Sequence, residues 1–259
     1  EWVEVYFRGM AEIASEYDVS LLGGDIMGSE TIAGAFRAIP FKIKSFEELS
    51  LPKVVSDLAE KPRGLVLVTG PTGSGKSTTL ATMIDRINQN RNEHIVTIED
   101  PIEYLHHHKK CVVEQREVEA DTESFAVALK YALRQDPDVI LIGEVRTRET
   151  MEHAITFSET GHLVLATLHA NNATMTMERI LGFFPKEGIE AQAKRVSQNL
   201  RAIVCQRLVP GLNGGKVAAV EVLINTGYIA DLISAISHSM RKWHLRLTAG
   251  MMGFPHSFL

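Results

Sequence analysis

A short apolar run that passes directly into a glycine-rich octapeptide constrains this chain more than any other feature. Gly64-Leu65-Val66-Leu67-Val68-Thr69 reads as a buried strand, and Gly70-Pro71-Thr72-Gly73-Ser74-Gly75-Lys76-Ser77 follows it without a gap. Leu80, Met83, Ile84 and Ile87 then recur at i, i+3, i+4 and i+7, which predicts a helix opening at the end of the octapeptide, continued by Thr78 and Thr79. The octapeptide matches G-x-x-x-x-G-K-[ST] at Gly70, Gly75, Lys76 and Ser77. Between a strand and a helix, that pattern is a phosphate cradle. Its glycines let backbone N–H groups curl round the phosphates, the helix N-terminus adds a favourable dipole, and Lys76 reaches the β- and γ-phosphates. The Ser77 hydroxyl would ligate Mg2+. The expected ligands are ATP and Mg2+, held by residues 70–78.

Residues 64–173 go on alternating apolar runs with amphipathic stretches, the pattern of a mostly parallel sheet covered by helices. His94-Ile95-Val96-Thr97-Ile98 is the next expected strand, running into Glu99-Asp100-Pro101-Ile102-Glu103, where Pro101 stops the ladder. Phe125, Ala128, Leu129, Ala132 and Leu133 mark a helix that ends before Pro137. Val139-Ile140-Leu141-Ile142 makes a third strand ending at Gly143-Glu144, and Leu163 to Leu168 a fourth, flanked by His162 and His169. Beyond residue 173 the chain reads as helical to about Val209, breaks at Pro210-Gly211-Leu212-Asn213-Gly214-Gly215, and resumes as a strand from Val217 to Ile224.

Composition narrows the setting. With 27 Lys+Arg against 32 Asp+Glu the formal charge is −5, which argues against a nucleic-acid partner. Cys111 and Cys205 are the only cysteines and show no CxxC spacing, so neither a disulfide framework nor a cysteine zinc site is expected. No apolar run approaches the roughly 18–20 residues that span a bilayer, and Glu1-Trp2-Val3-Glu4 is a poor start for a signal peptide. The expectation is a cytoplasmic chain, peripheral where it meets a membrane.

Attack of water on a γ-phosphate needs one carboxylate near the metal and one to orient or deprotonate the water. Asp136-Pro137-Asp138-Val139-Ile140-Leu141-Ile142-Gly143-Glu144 resembles a Walker B strand, whose terminal acid faces the metal. Glu99, Asp100 and Glu103 end another strand. Ligands of open parallel sheets bind outside the carboxyl ends of the strands, so all four acids are candidates, with a solvated acidic turn as the plain alternative for each. His162 and His169 are seven apart across one strand, on opposite faces by strict alternation, so they are not both simple ligands of one metal. His106-His107-His108 is expected to form a solvated loop. Arg63, Arg146, Arg148, Arg179, Arg201 and Arg207 could each neutralise transition-state charge, and position does not choose among them. Phe183-Phe184-Pro185 reads as packing.

From about Ile39 to Ile233 the chain resembles the type IV pilus retraction ATPases, the PilT/PilU family of the secretion-ATPase superfamily. Four motifs carry the resemblance in order: the loop at 70–77, the acidic box Ile98 to Glu103, the strand ending at Glu144, and a histidine box from Thr160-Gly161-His162 to Thr167-Leu168-His169. Cys111 to Val118, Leu168-His169-Ala170-Asn171, Arg179 to Pro185 and Ala219 to Leu223 lean towards the PilU branch. The resemblance implies a RecA-like P-loop core, a homo-hexameric ring, and Mg-dependent ATP hydrolysis that powers pilus retraction and twitching motility. Its implied partners are an inner-membrane platform protein and a paralogous retraction ATPase, which places the chain peripherally at the inner membrane. It implies that Glu103 activates water, that Glu144 works through Mg2+, and that His162 and His169 couple nucleotide state to the subunit interface. Arg63 matches a linker arginine facing nucleotide bound between subunits, and Arg179 a position near the same interface. Extension and secretion relatives usually carry a four-cysteine zinc module, which two isolated cysteines cannot build.

Four segments follow from this reading. Residues 61–233 are the RecA-like ATPase domain, and 29–60 a linker and remnant of the PAS-like domain that the family carries. Residues 1–28 read as a foreign segment resembling thiamine-monophosphate kinase, through Gly9-Met10-Ala11-Glu12-Ile13-Ala14 and Leu21-Leu22-Gly23-Gly24-Asp25. Residues 234–259 lack the family's Ala-Ile-Arg-Asn-Leu type motif and are expected to be a divergent, disordered tail. Two alternatives stand beside the motor: a nucleotide-binding assembly subunit without turnover, and a small-molecule kinase fusion.

Overall fold

The computed structural model describes residues 19–21, 38–40, 42–211 and 214–235; the expectations for Gly23-Gly24-Asp25, for the rest of residues 1–18 and 22–37, and for the tail from residue 236 lie outside them. β1 (Val19–Leu21) and β2 (Ala38–Pro40) form a small antiparallel pair. The main body then runs α1 (Lys53–Ala59), β3 (Gly64–Thr69), α2 (Lys76–Asn90), β4 (His94–Glu99), β5 (Val112–Glu117), α3 (Phe125–Ala132) and β6 (Val139–Ile142). It continues with α4 (Arg148–Glu159), β7 (Leu163–Leu168), α5 (Ala173–Gly182), α6 (Ile189–Asn199), β8 (Leu200–Pro210), β9 (Lys216–Ile224) and α7 (Gly227–Ser234). Its seven-stranded sheet has the order β5-β4-β6-β7-β3-β8-β9, parallel except for the antiparallel β8–β9 pair.

All six residues of β3 are buried, because helices cover both faces of the sheet. The two faces separate by alternation. Leu65 and Leu67 join Ile98, Ile140, Ile142 and Phe157 in a layer under α3 to α7, while Val66 and Val68 join Leu80, Met83, Ile84 and Val55 under α1 and α2. Each such aliphatic side chain, fully withdrawn from water, contributes about 1.5–3 kcal/mol. Phe46, Leu51, Leu58 and Ala59 belong to that second layer, so the chain before residue 61 shares the core of the P-loop body. Thr147 caps α4 by accepting from the Thr150 N–H at 3.3 Å, which sets the turn leaving Glu144.

The expected strands and helices between residues 64 and 168 are present at the expected places. The helical reading of 173–209 is corrected. That stretch is α5, a short 3-10 turn at Lys186–Gly188, α6, and then the eleven-residue strand β8. Leu200, Ala202, Ile203, Val204 and Cys205 are all buried, so β8 lacks polar-apolar alternation and reads as a continuation of the amphipathic helix before it. Its conformation is decided by β3, remote in sequence, on one side and by β9, the next strand in the chain, on the other. Among the described residues no helix is long and apolar enough to cross a membrane.

Candidate active site

The phosphate loop leaves the carboxyl end of β3 and closes into the first turn of α2. Gly70 and Gly75 have φ of +149° and +85°, backbone states that side chains with a Cβ rarely adopt, and a Cβ at Gly70 would lie 2.3 Å from the Gln206 carbonyl oxygen. Lys76 Nζ donates to the carbonyls of Gly70 at 3.0 Å and Pro71 at 3.1 Å. Burial pushes the Lys76 ammonium below its ordinary value, while the nearby charges of Glu144 and Glu103 pull it back up. The buried Ser74 hydroxyl has no hydrogen-bond partner among the described residues. A loop whose lysine rests on carbonyls and whose Gly70 and Gly75 leave no room for side chains fits a polyphosphate.

A cavity of about 550 Å³ opens in front of this loop. Residues 72–78 form one wall, and Glu99, Asp100, Glu103 and Glu144 line the cavity together with Arg146 and His169. The parallel sheet explains this meeting: β4, β6 and β7 are neighbours ending at the same edge, so the acids that follow β4 and β6 arrive beside His169, which follows β7. The Gly143 N–H donates to the Ile98 carbonyl at 2.8 Å, and the Val145 N–H to the Thr167 carbonyl at 2.9 Å, so Glu144 is held on both sides. Glu144 Oε1 lies 3.1 Å from His169 Nε2 and Oε2 lies 2.6 Å from Arg146 Nη2. Arg146 also reaches Asp100 at 3.6 Å.

The acids differ in surroundings. Glu99 accepts from Thr97 Oγ1 at 2.7 Å and from Gln115 Nε2 at 3.3 Å, and burial holds its carboxyl above the ordinary range. It is a wall residue. Glu103 is exposed to the cavity, and its neighbour Tyr104 ties the acidic loop to α2 by a 2.9 Å bond between Tyr104 Oη and Thr78 Oγ1. Ser77 and Glu144 both border the cavity and offer a hydroxyl and a carboxylate, the hard oxygen donors that suit Mg2+.

His162, Arg63 and Arg179 are not among the residues lining this cavity. His162 precedes β7 at its opposite end, about 20 Å from His169 at the rise of an extended strand. There its Nδ1 sits 2.9 Å from the Phe157 carbonyl, and its ring packs edge-on against Phe157. Arg63 is exposed, its carbonyl accepting from Arg201 Nε at 3.0 Å, and Arg179 is exposed on α5.

The solvated-loop reading of residues 106–108 is corrected for His106, while His107 and His108 are exposed in a loop. His106 lines the cavity, its backbone N–H donates to Gln115 Oε1 at 2.7 Å, and burial pushes its imidazole down to about 4, with Asp85 opposing. His108 Nδ1 accepts from the Val113 N–H at 3.0 Å. Phe184 is core packing. Sequence reasoning missed Tyr104 and Gln206. Gln206 donates from Nε2 to the Ser74 carbonyl and accepts from Thr79 Oγ1, both at 2.8 Å. Its one signal is an uncharged polar side chain inside the apolar run 200–209, which acquires meaning once that run is a strand.

Residues 41–227 match the family described as type II/IV secretion system protein. The chain is 57% identical over 198 residues to the type IV pilus ATPase PilU of Pseudomonas aeruginosa, covering 76% of this chain and 52% of that protein. It is 51% identical over 202 residues to the type IV pilus retraction ATPase PilT of the same organism, covering 78% of this chain and 59% of that protein. The crystal structure of the pilus retraction motor PilT with bound ADP matches with a TM-score of 0.80 at 43% identity, over 93% of this chain and 73% of that one. The chain thus spans about half to three-fifths of the curated relatives it matches.

Proposed function

This chain belongs to the type II/IV secretion system protein family, and from that premise we propose that it is the ATP-hydrolysing core of a type IV pilus retraction motor. One observation carries the reading: across a single cavity, the Lys76 loop faces Glu103 and Glu144. The loop N–H groups and Lys76 grip the β- and γ-phosphates, Lys76 exchanging the carbonyls of Gly70 and Pro71 for phosphate oxygens. Ser77 and Glu144 would hold Mg2+, which when bound neutralises charge on the phosphate oxygens. Glu103 takes a proton from water as the water oxygen attacks the γ-phosphorus, and the bond to the bridging oxygen breaks to leave ADP and phosphate. His169 and Arg146 fix the orientation of the Glu144 carboxylate.

The ATPase domain is assigned to residues 61–233, with Phe46 to Ala59 of the preceding linker packed into the same core. His162, Arg63 and Arg179 lie off the cavity of one chain, and we place them at contacts between copies in a hexameric ring. There the exposed Arg63 and Arg179 could offer cations to a neighbour's nucleotide. In this proposal the ring works peripherally at the inner membrane with a platform protein and a paralogous retraction ATPase, the partners implied by the family resemblance. Phosphate release on adding Mg-ATP to the purified chain, reduced to background in Lys76→Ala and Glu144→Ala, is the expected result. No release, or release unchanged in both variants, would sink the reading. ATP binding without turnover would favour an assembly subunit instead.

A further inference from the structure

The phosphate loop is wrapped round one amide from a distant strand. The last β3 residue paired with β8 is Thr69, opposite Cys205, so Gln206 is the first β8 residue beyond the pairing, where the loop leaves the sheet. Its side chain is 3% exposed, and each end is used: Nε2 donates to the carbonyl of Ser74 and Oε1 accepts the hydroxyl of Thr79 in the first turns of α2. Both glycines that frame the loop confront this residue. A Cβ at Gly70 would lie 2.3 Å from the Gln206 carbonyl oxygen, and one at Gly75 would lie 2.8 Å from Gln206 Nε2.

The loop carbonyls of Gly70 and Pro71 receive the Lys76 ammonium, a contact that must be given up when Lys76 turns to a phosphate. The Gln206 bonds carry no such conflict. We propose that Gln206 is the positioning residue that holds the loop in its phosphate-binding curl, from β8 and independently of Lys76; this rests on the nucleotide site described above. The geometry demands a donor and an acceptor on one flat group of this length. Glutamate supplies both only when protonated, methionine supplies neither, and asparagine is one methylene short.

The test is ADP affinity, by titration of a fluorescent ADP analogue, alongside the thermal midpoint of the nucleotide-free 259-residue chain. Gln206→Met should weaken ADP binding about tenfold or more while the protein stays folded, because a buried carbonyl and hydroxyl lose their partner. Thr79→Val removes one of the two bonds and should give a smaller loss, which serves if Gln206→Met does not fold. Gln206→Glu supplies a readout that packing alone would not move. At pH 8 its carboxylate faces the Ser74 carbonyl and repels phosphate. As the pH falls through the carboxyl's own range, which burial raises, it gains a proton and can donate again, so its affinity relative to wild type should recover. Wild-type affinity in Gln206→Met and Thr79→Val, or a pH-independent deficit in Gln206→Glu, would overturn the proposal. Wild type that binds ADP no better than Lys76→Ala would instead bring down the nucleotide site itself, and this inference with it.

Discussion

His169 Nε2 lies 3.1 Å from Glu144 Oε1, and because an ionised carboxylate only accepts, the imidazole nitrogen at that contact carries the hydrogen. The other carboxylate oxygen is taken by Arg146, so two donors from the ends of two elements fix its rotation. If Glu144 holds Mg2+ as proposed, His169→Ala should slow phosphate release roughly 10- to 100-fold, the usual effect of losing a residue that orients such a ligand. ADP affinity without Mg2+ should stay close to wild type. An equal loss of metal-free affinity would mean that His169 shapes the nucleotide pocket rather than orienting Glu144.

Glu103 is an acid exposed to the cavity, on a loop tethered by its neighbour Tyr104. Glu103→Gln should cut phosphate release roughly 10²- to 10⁴-fold, the range for removing a general base, with ADP binding and thermal midpoint little changed. A rate within twofold of wild type would remove Glu103 from that role.

Glu99 supplies a pH-dependent term. Burial raises its carboxyl, so the folded state holds the proton more tightly than the unfolded chain. The associated stability is fully present below the ordinary carboxylate value and is lost as pH rises through the raised one. Glu99→Gln should consequently melt at a higher temperature than wild type at pH 7, with the gap closing near pH ~4.3, the ordinary glutamate value. Thermal scans across that range decide it; a variant less stable at pH 7 would show that the Thr97 and Gln115 bonds outweigh the burial of charge.

Burial pushes the Cys205 thiol up to about 12 and raises Cys111 as well. Thiolates are the reactive form, so neither cysteine should react with a thiol-specific chromogenic reagent in the native protein at pH 8, and both should react in denaturant. Rapid labelling of Cys205 without denaturant would show that the β3–β8 layer opens, and of Cys111 that the packing between α2 and β5 does.

Phe157 is fully buried on the α4 side of the sheet and carries the edge contact with His162. Phe157→Ala should lower unfolding free energy by about 3–5 kcal/mol, read as a fall in denaturant midpoint. A change under ~1 kcal/mol would mean that the layer collapses to fill the space.

The strand, loop and helix at 64–90 were legible because their signals are local: β-branched residues, a glycine spacing and a helical period within a few residues of one another. The same holds for β4, β6 and β7, and therefore for Glu99, Glu103, Glu144 and His169 at strand ends. The strand nature of Leu200 to Gln206 was not legible, since a segment buried on both faces has no alternation to separate it from the helix before it. With that strand misread, Gln206 had no place. His106 was misread for a related reason: three consecutive histidines look solvated until Gln115 of β5 anchors the first beside the cavity.

What the sequence by itself determined is the phosphate loop with its flanking elements, the acids and histidines that follow strands, and membership of the family. The tertiary structure alone decided which of these meet. Glu144 and His169 come together because β6 and β7 are adjacent and parallel with Ile142 opposite Ala166, so the residues two and three further on arrive side by side. Gln206 reaches Ser74 across 132 residues because β8 pairs with β3. Strand adjacency is set by hydrogen bonds and burial between segments far apart in the chain, and such pairings leave no mark on any single stretch of residues.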